Sequence, residues 1–258
     1  MTAQGDPLPP RPGFFTGFAI ATGFLTRMPV AGPGGAAGRL AEAAWAFPFV
    51  GAGIGAVAAF AFLLAQLVGL GDWPAALSGV FAGIAVTGAL HEDGLGDTAD
   101  GFFGGRDREH ALAVMRDSRA GTFGVLAIVL SVLLRTAALA RIGDAVHAGL
   151  ALIAAHAASR GALPVAMRVM APARADGLGA SAGRPSAPAA IAAVTISALI
   201  SLAALGPSRG AIALGIAGAA VFAASMLAQR RIGGYTGDVL GAFQQIGEIV
   251  VLLTTSAR

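Results

Sequence analysis

The sequence predicts an all-α fold, a polytopic bundle of about seven transmembrane helices plus a short N-terminal helix. Three observations predict it. Of 258 residues, 56% are hydrophobic and only 12% are charged, about half the charged share of an ordinary globular domain. Mean hydropathy is +0.75. Charge-poor runs recur along the chain, each close to the roughly 20 residues a helix needs to cross hydrocarbon. A soluble enzyme and a disordered chain are excluded, because too little polar surface is available to cover or solvate them.

The elements follow in order. Met1 to Gly13 contains four Pro and reads as a tail; it lacks the basic start and cleavage site of a signal peptide. Phe14–Leu25 is apolar but short, which suits an interfacial or re-entrant helix. Spans are predicted at Ala43–Leu70, Trp73–Leu90, Ala120–Ala140, Ala145–Met167, Pro188–Leu205, Ala211–Gln229 and Val239–Leu253. Residues 1–258 thus form a single integral membrane domain. Gly51 and Gly55 lie four apart in a span and predict close helix packing. The same run resembles a dinucleotide-binding GxGxxG, but no strand precedes it.

Connections alternate between long and short. The long ones, Arg27–Glu42, His91–Arg119, Arg168–Ser186 and Arg230–Asp238, carry most of the arginines, whereas the short turns carry only Arg141 and Arg209. The positive-inside rule puts the long connections in the cytoplasm. All 17 basic residues are Arg and there is no Cys. With so little titrating between His and Arg, the sequence pI of about 10.8 reflects a net charge of only +3. It does not indicate a nucleic-acid partner.

Half of the 14 acidic residues fall between Glu92 and Asp117. Asp93, Asp97 and Asp100 sit at i, i+4 and i+7, within about 60° of one another on a helix. Three like charges on one stripe repel. A divalent cation reverses that interaction, and hard carboxylate oxygens suit Mg²⁺ completed by substrate phosphates. The bland alternative is a solvated acidic loop. Arg116 and Arg119 follow closely, and guanidinium forks suit phosphate oxygens; their bland alternative is topological anchoring. Asp238 returns a carboxylate to the same side, among glycines and beside Thr236. Glu248 and Arg160 lie inside spans, where a charge needs a partner or a ligand, and Arg135 poses the same question. The four His show no metal-ligand spacing; His91 adjoins the acidic stripe.

These motifs, in this order, resemble one family. His91-x-Asp-Gly-Leu-x-Asp-Thr-x-Asp-Gly is followed by Met-Arg-Asp-Ser-Arg-x-Gly-Thr, Ser159-Arg160, Asp176-Gly-Leu-Gly and Gly-Gly-x-Thr-Gly-Asp-x-Leu-Gly-Ala. Together they resemble the cobalamin synthases, the adenosylcobinamide-GDP ribazoletransferases, from about Phe18 to Leu253. The resemblance implies an Mg²⁺-dependent enzyme of a bacterial inner membrane, with its active site facing the cytoplasm. It would join adenosylcobinamide-GDP to α-ribazole or its 5′-phosphate and release GMP, as a homo-oligomer or beside other cobalamin-assembly enzymes. Carried over by position, Asp93, Asp97 and Asp100 are the metal-binding acids and, with Asp117 and Asp238, the catalytic ones. Arg116, Ser118, Arg119, Thr122, Ser159, Arg160, Thr236 and Gly237 are the substrate-binding set, to which Glu248 is added for its depth in the last span. Asp117 or Asp238 accepts the hydroxyl proton. Glu92, Tyr235 and Val239 depart from the family pattern.

Two other readings compete. A CDP-alcohol phosphotransferase also uses Asp-Gly-rich membrane helices, but its Ala-Arg pair is missing after Asp93-Gly94. A transporter would fit the intramembrane charges, yet the ionisable residues gather at one membrane face.

Overall fold

The computed structural model describes residues 13–30 and 40–257. The predicted tail, apart from Gly13, and the loop arginine Arg39 lie outside the described residues. The described chain is helical. After α1 (Phe14–Leu25) come α2 (Leu40–Ala43), a tight 3-10 turn, α3 (Phe47–Leu67), α4 (Asp72–Thr87), α5 (Leu90–Gly104) and α6 (Arg108–Val114). Then follow α7 (Thr122–Ile142), α8 (Ala145–Val169), α9 (Leu178–Ser181), α10 (Ala187–Leu205), α11 (Pro207–Ile232) and α12 (Gly237–Ser256). Six of the described helical stretches are long and apolar enough to cross a membrane, and the bent α4–α5 pair counts as a seventh if taken as one span. This agrees with the predicted multi-pass bundle. α1, at 12 residues, is shorter than a span.

Local sequence sets the ends of these helices. Pro48, Pro188 and Pro207 sit in first turns, where a missing N–H costs nothing. Asp107, Asp144, Ser186 and Thr236 cap α6, α8, α10 and α12 by accepting backbone N–H bonds. The predicted span Trp73–Leu90 needs correction. Its helix stops at Thr87, because Gly88 and Ala89 both take left-handed φ, 64° and 58°. The chain then turns by 90° into α5. Hydropathy carries no signal for such a turn, since both residues are apolar.

Packing follows the small residues. A Cβ on Gly55 would stand 2.7 Å from the Cα of Ile153, and one on Gly51 would overlap the carbonyl of His156. α3 therefore meets α8 backbone to backbone, as the spacing predicts. Gly55→Leu should separate the two helices. The overpacking is expected to cost about 3 kcal/mol or more, read as early melting of the detergent-solubilised protein; a wild-type melting curve would refute the contact. Outward faces carry large apolar side chains such as Phe60, Leu64, Leu126, Leu130 and Phe222, a surface suited to lipid.

The long connections meet at one end of the bundle. Arg108 donates to the carbonyls of Ile232 and Ala173, and Arg231 to those of Phe102 and Gly105. Tyr235 pairs with Pro172 as an isolated bridge. Arg141, Leu205, Arg209 and Ser256 gather at the opposite end.

Candidate active site

α5 is an unusual helix to find in an apolar bundle. It packs between α7 and α12 because it is built from small residues on those sides. Gly94 lies against the backbone of Asp238, where a Cβ would come within 2.7 Å, and Gly96 lies under Ile128. These contacts bring the acid-rich helix against the first turn of α12.

A cavity of about 240 Å³ opens there. Phe24, Phe47, Leu163, Met167 and Leu240 form apolar walls, and His91, Asp93, Arg174, Gly237 and Asp238 supply the polar lining. Asp97 is half-buried one turn along α5. Its electrostatic neighbours are Asp93, Asp238, Asp100 and Arg174. Asp238 accepts from Thr236 Oγ1 at 3.1 Å and from Arg174 at 3.4 Å. Thr236 also caps α12, accepting from the N–H of Val239, so one side chain fixes both the helix start and the carboxylate.

Asp100 departs from the expected stripe. It is buried, and its carboxylate accepts the backbone N–H groups of Gly121 and Gly124 at 2.7 and 2.8 Å. The reason is local: α7 begins at Gly121 with no side-chain cap of its own. Asp100 reaches across from α5 to serve as that cap. Among the described residues, no group of three His, Cys, Asp or Glu is arranged to hold a metal alone. The all-oxygen pair Asp93 and Asp97, with Asp238 close by, fits a hard cation completed by phosphate oxygens and water.

Met115 is buried in the core, and the residues from Arg116 to Gly121 after it form a largely exposed connection at the same end. Arg116 Nη2 donates to both oxygens of Asp176 at 2.7 Å, joining two of the sequence motifs. Both partners are more than half exposed, so the pair positions the loop more than it stabilises the fold. Arg119 pairs with Asp117 at 2.7 Å. The bonded Arg119 guanidinium holds the Asp117 carboxyl down at about 2. Asp117 is therefore ionised throughout the neutral range and is a weak base. Ser118 and Thr122 are exposed.

Ser159, Arg160 and Glu248 lie elsewhere, in the bundle interior, each at most 2% exposed. Arg135 joins Glu92 and Glu248 at 3.0 Å each. Glu248 also sits 3.6 Å from Arg160 and 3.1 Å from His156. Gln244 donates to Glu248 and to Ser159, while Gln245 donates to Glu92 and accepts from Ser131. Two arginines thus balance two glutamates. The network stands beside His91, on which Arg160, Glu248, His156 and Arg135 all act electrostatically.

Sequence reasoning did not single out Arg174, Gln244 or Gln245. The two glutamines carry the same signal as Glu248, a polar residue inside an apolar span. Arg174 had only its place beside the Asp176 motif.

Residues 17–256 match the cobalamin-5-phosphate synthase family. The chain belongs to that family. Three proteins named adenosylcobinamide-GDP ribazoletransferase are similar to it over nearly their whole lengths. Those of Bradyrhizobium diazoefficiens and Mesorhizobium japonicum are 46% and 45% identical, each over 92% of both chains. That of Azorhizobium caulinodans is 44% identical over 89% of this chain and 91% of its own. No solved structure matches. Membership of the cobalamin-5-phosphate synthase family disfavours the phosphotransferase and transporter readings.

Proposed function

We propose that the protein transfers the cobinamide-phosphate group of adenosylcobinamide-GDP to a ribose hydroxyl of α-ribazole or its 5′-phosphate, releasing GMP. The observation that carries this reading is the carboxylate-rimmed cavity at the end of the bundle, where the family's motifs converge from α5, α12 and the connection before α9. The long, arginine-rich connections orient that end toward the cytoplasm of a bacterial inner membrane.

The chemistry is a displacement at phosphorus. A ribose oxygen forms a bond to the phosphorus attached to cobinamide, and the bond from that phosphorus to the oxygen bridging to GMP breaks. Such a reaction depends on placement and charge neutralisation more than on covalent help. Asp93 and Asp97 would hold Mg²⁺, which supplies positive charge to the pyrophosphate oxygens. Arg174, which lines the cavity, would take remaining phosphate oxygens, and Arg116 and Arg119 would reach them from the connection at the same end by exchanging their present carboxylate partners. Asp238 accepts the hydroxyl proton. It lies at the cavity with Thr236 and Arg174 fixing its orientation, whereas Asp117 is bound to Arg119 and too weakly basic.

Purified protein given both substrates and Mg²⁺ should yield GMP and a cobalamin product. EDTA should abolish product formation, and added Mg²⁺ should restore it. No product with any divalent metal would refute the function; turnover undiminished by EDTA would refute the metal.

A further inference from the structure

A second open space lies in the flank of the bundle. It measures about 410 Å³ and runs between α8, α10, α11 and α12, all four long and apolar enough to span a membrane. We infer that it holds one acyl chain of a phospholipid, whose phosphate is met by Arg184 at the end of the bundle where the long connections gather.

Floor and rim show where an occupant enters. Ser159 and Gly161 are buried at the bottom, whereas Val194 and Phe222 at the edge are 43% and 66% exposed. A groove that opens sideways between spans opens into hydrocarbon. Its chemistry fits hydrocarbon as well. The side-chain hydroxyls in the lining, of Ser159, Ser197 and Ser225, each donate to a carbonyl of their own helix, so none keeps its proton for a polar guest. The reach fits too. From Ala158 to Val169 the lining follows α8 for about 16 Å, half of the roughly 30 Å hydrocarbon core and so the depth of one leaflet. A helix of a second copy, about 10 Å across, is too thick to lie in a space of this volume; a single acyl chain is not.

The headgroup rests on a separate observation. At Val169 and Met170 the groove runs into another space of about 320 Å³, which Arg184 lines. Arg184 is exposed there. Its Nε donates to the carbonyl of Arg168 at 2.7 Å, and its two Nη groups have no partner among the described residues. Arg168 in turn donates to a carbonyl, that of Pro185, at 2.9 Å. A guanidinium without a carboxylate, at the level where a span ends, complements a lipid phosphate.

The test uses the whole protein, delipidated in detergent and titrated with dioleoylphosphatidylglycerol under native mass spectrometry. The wild type should retain one phospholipid per chain in preference to dioleoylglycerol, which has the tails without the phosphate. Excess inorganic phosphate should not displace it. Equal retention of dioleoylglycerol, or displacement by phosphate, would overturn the two-part site. Gly218 lines the groove on α11, and a Cβ there would meet nothing within 4 Å. Gly218→Phe therefore fills the groove rather than the bundle, and should weaken retention at least about tenfold. Ala198→Phe obstructs it from α10 and should read the same loss. Arg184→Gln should weaken retention about fivefold. A folded groove variant that holds the lipid as the wild type does would overturn the inference. So would delipidated wild type that pairs through this face, with Gly218→Phe breaking the pair and leaving lipid retention intact; that result would place a second copy there.

Discussion

Asp97→Asn should lower the transfer rate by at least about 100-fold while leaving the protein folded and membrane-inserted. The substitution keeps the shape of the side chain and removes one charge from a group of carboxylates that includes Asp93, Asp238 and Asp100. Without a cation those charges repel one another. The variant should therefore melt at or above the wild-type temperature without Mg²⁺, a common cost of a charged functional site. Added Mg²⁺ should raise the melting temperature of the wild type more than that of the variant, because the cation binds the folded state. Wild-type turnover by purified Asp97→Asn with Mg²⁺ would refute the role given to α5.

The second large effect concerns stability. Arg135 is 2% exposed and stands between Glu92 and Glu248. Arg135→Met fills much the same volume but strands Glu92 with no cation. Breaking a buried pair in this way costs about 3–5 kcal/mol. The expected result is a low yield of monodisperse protein and a much lower melting temperature. The double variant Arg135→Met, Glu92→Leu should recover part of the loss, since a buried pair can be replaced by apolar packing. A heat-stable Arg135→Met, or a double variant worse than the single one, would show that the network does not hold the bundle.

Much of this was legible in the sequence, for different reasons. Hydropathy placed the spans because a bilayer imposes one length on each. Alternating loop lengths gathered the motifs at one end, and the structure ties those connections together through Arg108, Arg231 and Tyr235. Periodicity put Asp93, Asp97 and Asp100 on one helix, which α5 confirms. It could not show that Asp100 turns to α7, because that role arises from what α7 lacks. Glu248 and Arg160 were rightly singled out as charges needing partners. Whether the partner was a ligand or another helix depended on Arg135 and Glu92, 113 and 43 residues from their partners in the chain. Separations of that size leave no local pattern. The turn at Gly88 and Ala89 escaped for a similar reason: φ is a backbone quantity, and both residues read simply as apolar.

That turn decides which way the acids look. A straight continuation of α4 would carry Asp93 and Asp97 onward along its own axis; the 90° bend at Gly88 and Ala89 instead lays α5 across that direction. The small residues of α5 can then press against α12, with Gly94 on the backbone of Asp238. Two left-handed residues thus bring carboxylates from distant parts of the chain to one place.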